Sequence, residues 1–223
     1  MAQAAVTPAE KPAHPALPRA LTVLTVVSGF LDAVSYLGLG HVFTANMTGN
    51  VVIIGFAAVG TPGFSVVGSL VSLAAFLAGS VCAGRVERFL RERPQQTWIR
   101  TVLTAEALLL AVATVAAFAS APTDLLIALV ALAMGLRNGT VRTLAVPDLT
   151  TTVLTLTLTG LASESSLAGG TNPRAGRRLL AVAAMLVGAA AGAALVNHVG
   201  LGWPMLVSTV LVAAVALGYR DRP

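Results

Sequence analysis

Six stretches of about 20 residues, each almost free of charge, recur along this chain and leave little room for any fold but a bundle of bilayer-crossing helices. They fall roughly at 20–40, 64–84, 98–120, 123–145, 178–197 and 202–219. At 1.5 Å per residue each helix reaches about 30 Å, the thickness of a hydrocarbon core. Apolar residues make up 56% of the sequence and charged residues 10%, too little charge to cover the surface of a soluble domain. Two further apolar stretches, 46–60 and 150–163, are too short to cross. The expected fold is therefore all-α: a polytopic transmembrane helix bundle of about six crossing helices with two short broken or re-entrant helices.

Arginine placement separates this topology from one with eight crossings. The net charge is +5, and thirteen of the fourteen basic residues are Arg, set in short links between apolar runs. Arg85, Arg88, Arg91, Arg93 and Arg100 occupy one link, Arg174, Arg177 and Arg178 another, and Arg220 and Arg222 follow the last run. The links at 120–123 and 198–202 have none. Six crossings put every cluster and both termini on one side, whereas eight would force a cluster across. The expected location is the bacterial cytoplasmic (inner) membrane, multi-pass, with cytoplasmic termini. Scattered links of this kind argue against a nucleic-acid partner, which would need one continuous basic face. Residues 1–18, with Pro8, Pro12, Pro15 and Pro18, read as a disordered cytoplasmic leader before a single transmembrane domain at 19–223. The first apolar run has no cleavage signal and reads as a retained helix.

The halves of the chain resemble one another. Gly29-Phe30-Leu31-Asp32 matches Gly135-Leu136-Arg137-Asn138 at an offset of 106, and Thr44 and Thr48 match Thr151 and Thr155 at 107. The order of elements also repeats, which points to units at 19–120 and 123–219. With three crossings each, the second unit would enter from the opposite side, giving an inverted 3+3 repeat as in many transporters.

A few polar groups interrupt the apolar runs. Asp32 lies within the first, Arg137 and Asn138 within the fourth, and Glu106 within the third. A lone charge at mid-bilayer costs about 2.5–3.5 kcal/mol, so each should face the interior. Pairing of Asp32 with Arg137 is the least costly arrangement, either as a structural lock or as part of a solute or ion site. Asp32 and Glu106 are also candidates for coupling to an ion. In His41-Val42-Phe43-Thr44-Ala45-Asn46-Met47-Thr48-Gly49-Asn50, Asn46 or Thr48 suits a helix cap and Gly49 a close helix contact. Asp148, just after Pro147, suits a cap on the second short helix. Two helix N-termini facing each other would make a polar site in a dry bundle. Its candidate lining is Asn46, Thr48 and Asn50 on one side and Thr151, Thr152 and Thr155 on the other. Thr151, Thr155 and Thr159 share a helical face, a row that either lines a path or bonds to backbone carbonyls. Glu164 and Asp124 read as interfacial.

Enzymatic constellations are missing: no phosphate loop, no His-Glu-x-x-His and no nucleophile–base pair, so no catalytic residue is expected. Three His without ligand spacing make no case for a metal, and no cofactor is implied. Cys82, beside Gly84 in an apolar run, reads as a small buried residue.

Phe43-Thr44-Ala45-Asn46-Met47-Thr48-Gly49-Asn50, following Asp32-Ala33-Val34-Ser35-Tyr36, resembles the signature of the YoaK-type family of small bacterial integral membrane proteins. The runs Met134 to Asn138 and Val146 to Gly160 are similar to its other characteristic segments. The resemblance spans roughly 18–219 and implies a multi-helix membrane protein without a settled substrate. Many members have Gln before the Asn of the second half. Arg137 stands there in this chain, which would make an Asp32 pairing a subgroup property. The function expected is a small polar solute transporter or channel, the alternative a non-transporting scaffold, assembly or sensor protein. The bilayer and a small polar solute are the implied partners, with homo-oligomerisation left open.

Overall fold

A computed structural model of the chain describes residues 16–146 and 154–220. All the described secondary structure is helical: α1 (Ala16–Gly38), α2 (Met47–Ala58), α3 (Val66–Leu90), α4 (Gln95–Phe118), α5 (Thr123–Leu144), α6 (Leu154–Ser163), α7 (Ala175–Val199) and α8 (Gly202–Gly218). Local chemistry sets the boundaries. Pro94 and Pro122 precede α4 and α5, where a missing N–H is no loss. Ser65 caps α3 by accepting from the Gly68 N–H at 3.0 Å. The last turns of α3 carry Arg85 and Arg88, so this helix runs past its apolar segment and the Arg-rich link contracts to a tight turn before α4.

Five helices, α1, α3, α4, α5 and α7, are long and apolar enough to cross a bilayer. α8 has 17 residues, at the short end of what can span. α2 and α6, with 12 and 10 residues, are the two short helices expected from sequence.

Close backbone crossings build the bundle. α1 packs on α7, α3 on α5, and α4 on both α5 and α8. At the first crossing, Gly188 faces the Val26 carbonyl and Gly192 the Phe30 carbonyl, so α1 and α7 run in the same direction. At the second, Gly135 faces the Phe76 carbonyl and Gly139 lies against Ser80 and Ala83, so α3 and α5 also run together. The crossings match residue for residue. Gly29 meets Met185 as Gly135 meets Phe76, and Gly188 meets Val26 and Phe30 as Gly79 meets Leu132 and Leu136. A Cβ at any of these four glycines would collide with opposing backbone, which is why small residues sit there.

α4 and α5 are joined by a short turn and run oppositely. So do α4 and α8, since Phe118 packs on Gly202 at one end and Gln96 Nε2 donates to the Tyr219 carbonyl at the other. Arg137 on α5 reaches Leu24 on α1, and α1 runs against α5. The six longest helices therefore alternate in direction. This gathers every described Arg except Arg137 at one end of the bundle: Arg19, Arg85, Arg88, Arg91, Arg93, Arg100, Arg142, Arg174, Arg177, Arg178 and Arg220. α2 lies between helices that meet at the Arg-free end, and α6 between helices that meet at the Arg-rich end. Cys82 is exposed on α3, on the side turned away from α5, not buried as its neighbours suggested.

Candidate functional site

The link between α1 and α2 folds inward and its backbone is satisfied by side chains. Asp32 Oδ1 accepts from the Ala45 N–H at 2.9 Å. Asn50 brackets Phe43, accepting from its N–H at 2.9 Å and donating to its carbonyl at 2.6 Å. Asn50 also donates to Ser72 on α3 at 3.1 Å, and Ser72 donates to the Phe43 carbonyl at 2.7 Å. Asn46 caps α2 by accepting from the Gly49 N–H at 3.3 Å. Gly49 leaves room for the Phe43 ring, not for a neighbouring helix. Buried backbone groups need partners, and these polar side chains supply them.

Arg137 does not meet Asp32. It pairs with Glu106 on α4, with both side chains fully buried, and also donates to the Leu24 carbonyl at 3.0 Å and to Ser28 at 3.1 Å. The expected pair fails for a geometric reason. Asp32 and Arg137 each lie past the middle of their own helices, and those helices run oppositely, so the two side chains end at different depths. Glu106, a candidate for ion coupling from the sequence, is the counter-charge of Arg137.

A cavity of about 1090 Å³ lies between the α1–α7 pair and the α3–α5 pair, bordered by both short helices. Of the residues singled out from sequence, it gathers Asn46 and Thr48 from the first half and Asn138 and Thr155 from the second. Thr48 and Thr155, matched between the halves, both line it. Asp32, Asn50, Arg137 and Glu106 do not; they are engaged in the bonds just described. Thr159 is exposed off the cavity, while Thr157, missed from sequence, is the buried threonine of α6. Asp148, Thr151 and Thr152 lie outside the described residues.

Several lining groups were not among the site residues expected from sequence. Tyr36, Phe43, Phe56 and Phe64 form an aromatic cluster at the Arg-free end, with Tyr36 stacked on Phe43 at 4.8 Å and Phe56 tilted on Phe64 at 5.6 Å. Ser80 lines the middle and bonds to the Gly135 carbonyl at 3.2 Å. Arg142 lines the Arg-rich end, one turn beyond Asn138 on the same face of α5, a spacing that could have marked it. α6 is tied to α7 by an ion pair from Arg178 to Glu164 at 3.0 Å.

Long apolar helices, basic residues gathered at one end and a cavity between two short helices define a polytopic membrane protein. The chain belongs to the family described as "Protein of unknown function (DUF1275)", whose model matches residues 20–218. It is 35% identical over 152 residues to the UPF0700 transmembrane protein YoaK of Bacillus subtilis (strain 168), a match covering 66% of this chain and 66% of that protein. No solved structure matches the chain.

Proposed function

We propose that the protein is a passage for a small polar solute across the bacterial cytoplasmic membrane, built as an inverted repeat with six crossings and its Arg-rich end in the cytoplasm. One observation carries the reading: a single cavity is lined by both short helices and extends from the aromatic cluster at the Arg-free end to Arg142 at the Arg-rich end. Short helices entering from opposite ends to a shared site are how broken-helix transporters hold solute near mid-bilayer. The alternation of helix directions and the residue-matched crossings support the inverted repeat, and the one-ended Arg distribution supports the orientation. The lining offers hydroxyl and amide groups able to exchange hydrogen bonds with a solute losing water.

A scaffold role is the second reading, favoured by the fact that Asp32, Asn50, Arg137 and Glu106 all serve internal bonds. Flux measurements separate the two. Ser80→Cys is made in a Cys82→Ala background, and the purified protein is reconstituted in vesicles with glycerol, urea, amino acids and carboxylates tried in turn. A bulky thiol reagent at position 80 is expected to stop flux that the unlabelled protein supports. Vesicles that move none of these solutes, labelled or not, would favour the scaffold.

A further inference from the structure

We infer that the cavity selects small amphipathic organic anions, a flat apolar body bearing one carboxylate; this rests on the passage reading and narrows it. The cavity has two chemically distinct ends. At the Arg-free end the wall is aromatic: Tyr36, Phe43, Phe56 and Phe64 present ring faces and edges suited to a flat apolar body. Phe76 and Met185, the matched residues of the two glycine crossings, continue the apolar wall inward. At the other end Arg142 is the one charged side chain among the described lining residues, and no described acidic group lines the cavity to neutralise it.

Arg142 makes no hydrogen bond or ion pair with any described residue, unlike Arg137 and Arg178, which are committed to Glu106 and Glu164. Its guanidinium is therefore available for a bidentate contact with a carboxylate. Asn138, one turn earlier on the same face, also lines the cavity, its amide donating to the Met134 carbonyl at 2.8 Å. A cation would meet Arg142 with no counter-charge among the described lining residues.

Three probes share one ring and differ in charge: benzoate, benzyl alcohol and benzylamine. Binding to the full-length protein in detergent is read by thermal shift and isothermal titration. Benzoate should bind at least about tenfold more tightly than either of the others. Arg142→Gln should abolish that preference while leaving the unliganded melting temperature unchanged. Arg220→Gln, which removes a charge at the same end away from the cavity, should preserve it. Phe64→Ala should weaken all three probes alike. Equal binding of the three probes, or a benzoate preference that survives Arg142→Gln, would overturn the inference. Vesicles that move glycerol or urea from a protein that does not bind benzoate would overturn the substrate class and leave the passage standing. Absence of both flux and binding would remove both.

Discussion

The two short helices occupy matching places in the two halves, yet different chemistry holds them. α2 is fastened by neutral hydrogen bonds: Asn50 and Ser72 grip the Phe43 backbone, and Asp32 takes the Ala45 N–H. Apart from Asp32 these are uncharged groups, and Asp32, Asn50 and Ser72 are themselves buried. α6 is tied to α7 by Arg178 and Glu164, and the Glu164 side chain is 45% exposed. Gly160 lies against the Arg178 guanidinium, so the charge fits under the helix itself. The glycine crossings are thus a shared scaffold, while the fastenings were built separately on each half. A corner held by hydrogen bonds keeps one geometry. The α6 corner includes among its fastenings a partly exposed ion pair that salt can screen.

The sharpest departure from likeness between the halves is Arg137. Its match in the first half is Leu31, a buried apolar residue, so the ion pair with Glu106 has no counterpart there. It ties α5 to α4, hence one half to the other. Glu106→Leu or Arg137→Leu alone should cost about 3–5 kcal/mol, because each leaves a buried charge without its partner. The double replacement should recover a large part of that loss. Melting temperatures in detergent for the four proteins would measure it. Losses that simply add would mean that the pair does not act as a unit and that the halves are joined by packing alone.

At the α2 corner, Asn50→Ala should cost about 2 kcal/mol, since the buried Phe43 N–H loses its acceptor while its carbonyl keeps Ser72. Asn50→Asp should not restore it, because the donor to Phe43 and Ser72 is lost. Full stability in the Asp variant would show that Asn50 acts only as an acceptor and would weaken the contrast between the corners.

The shared scaffold makes a paired prediction. Gly79→Ala and Gly188→Ala should each destabilise by about 1–2 kcal/mol, as the clash with opposing backbone outweighs the gain in helix propensity. Gly84, with open space where a Cβ would go, should tolerate Ala without loss. Markedly unequal losses at Gly79 and Gly188 would break the likeness of the two crossings.

The bundle and the two short helices were legible because each rests on hydrophobic run length or on local spacing. Asn46 as a helix cap was legible for the same reason. The partner of Arg137 was not, because equal distance from two helix starts says nothing of depth when the helices run oppositely. Nor was the role of Asn50. Its partners are a backbone seven residues earlier and a serine on another helix, and both look in sequence like free polar groups. Of the seven candidate lining residues that the structure describes, Asn46, Thr48, Asn138 and Thr155 border the cavity. Phe56 and Phe64 at its aromatic end were silent because phenylalanines in an apolar segment carry no signal of which ones face a space.

The smallest expected effect tests the contrast most directly. Glu164→Gln removes the exposed partner of the α6 ion pair and leaves Arg178 buried against Gly160. An ion pair open to solvent on one side contributes about 0–1 kcal/mol, so global melting should hardly move. Local opening should respond, because it reports the free energy of α6 alone. Hydrogen exchange across 154–163 should accelerate severalfold in Glu164→Gln, while exchange across 47–58 stays as it was. In the unmodified protein, raising salt from about 0.05 to 0.5 M should accelerate α6 in the same way by screening the pair, and leave α2 unchanged. The variant should then show a smaller salt response than the unmodified protein, since one of the two screened charges is gone. If α2 and α6 instead exchange at the same rate and respond alike to salt, the two corners are equally fixed and the difference in their fastenings has no mechanical consequence.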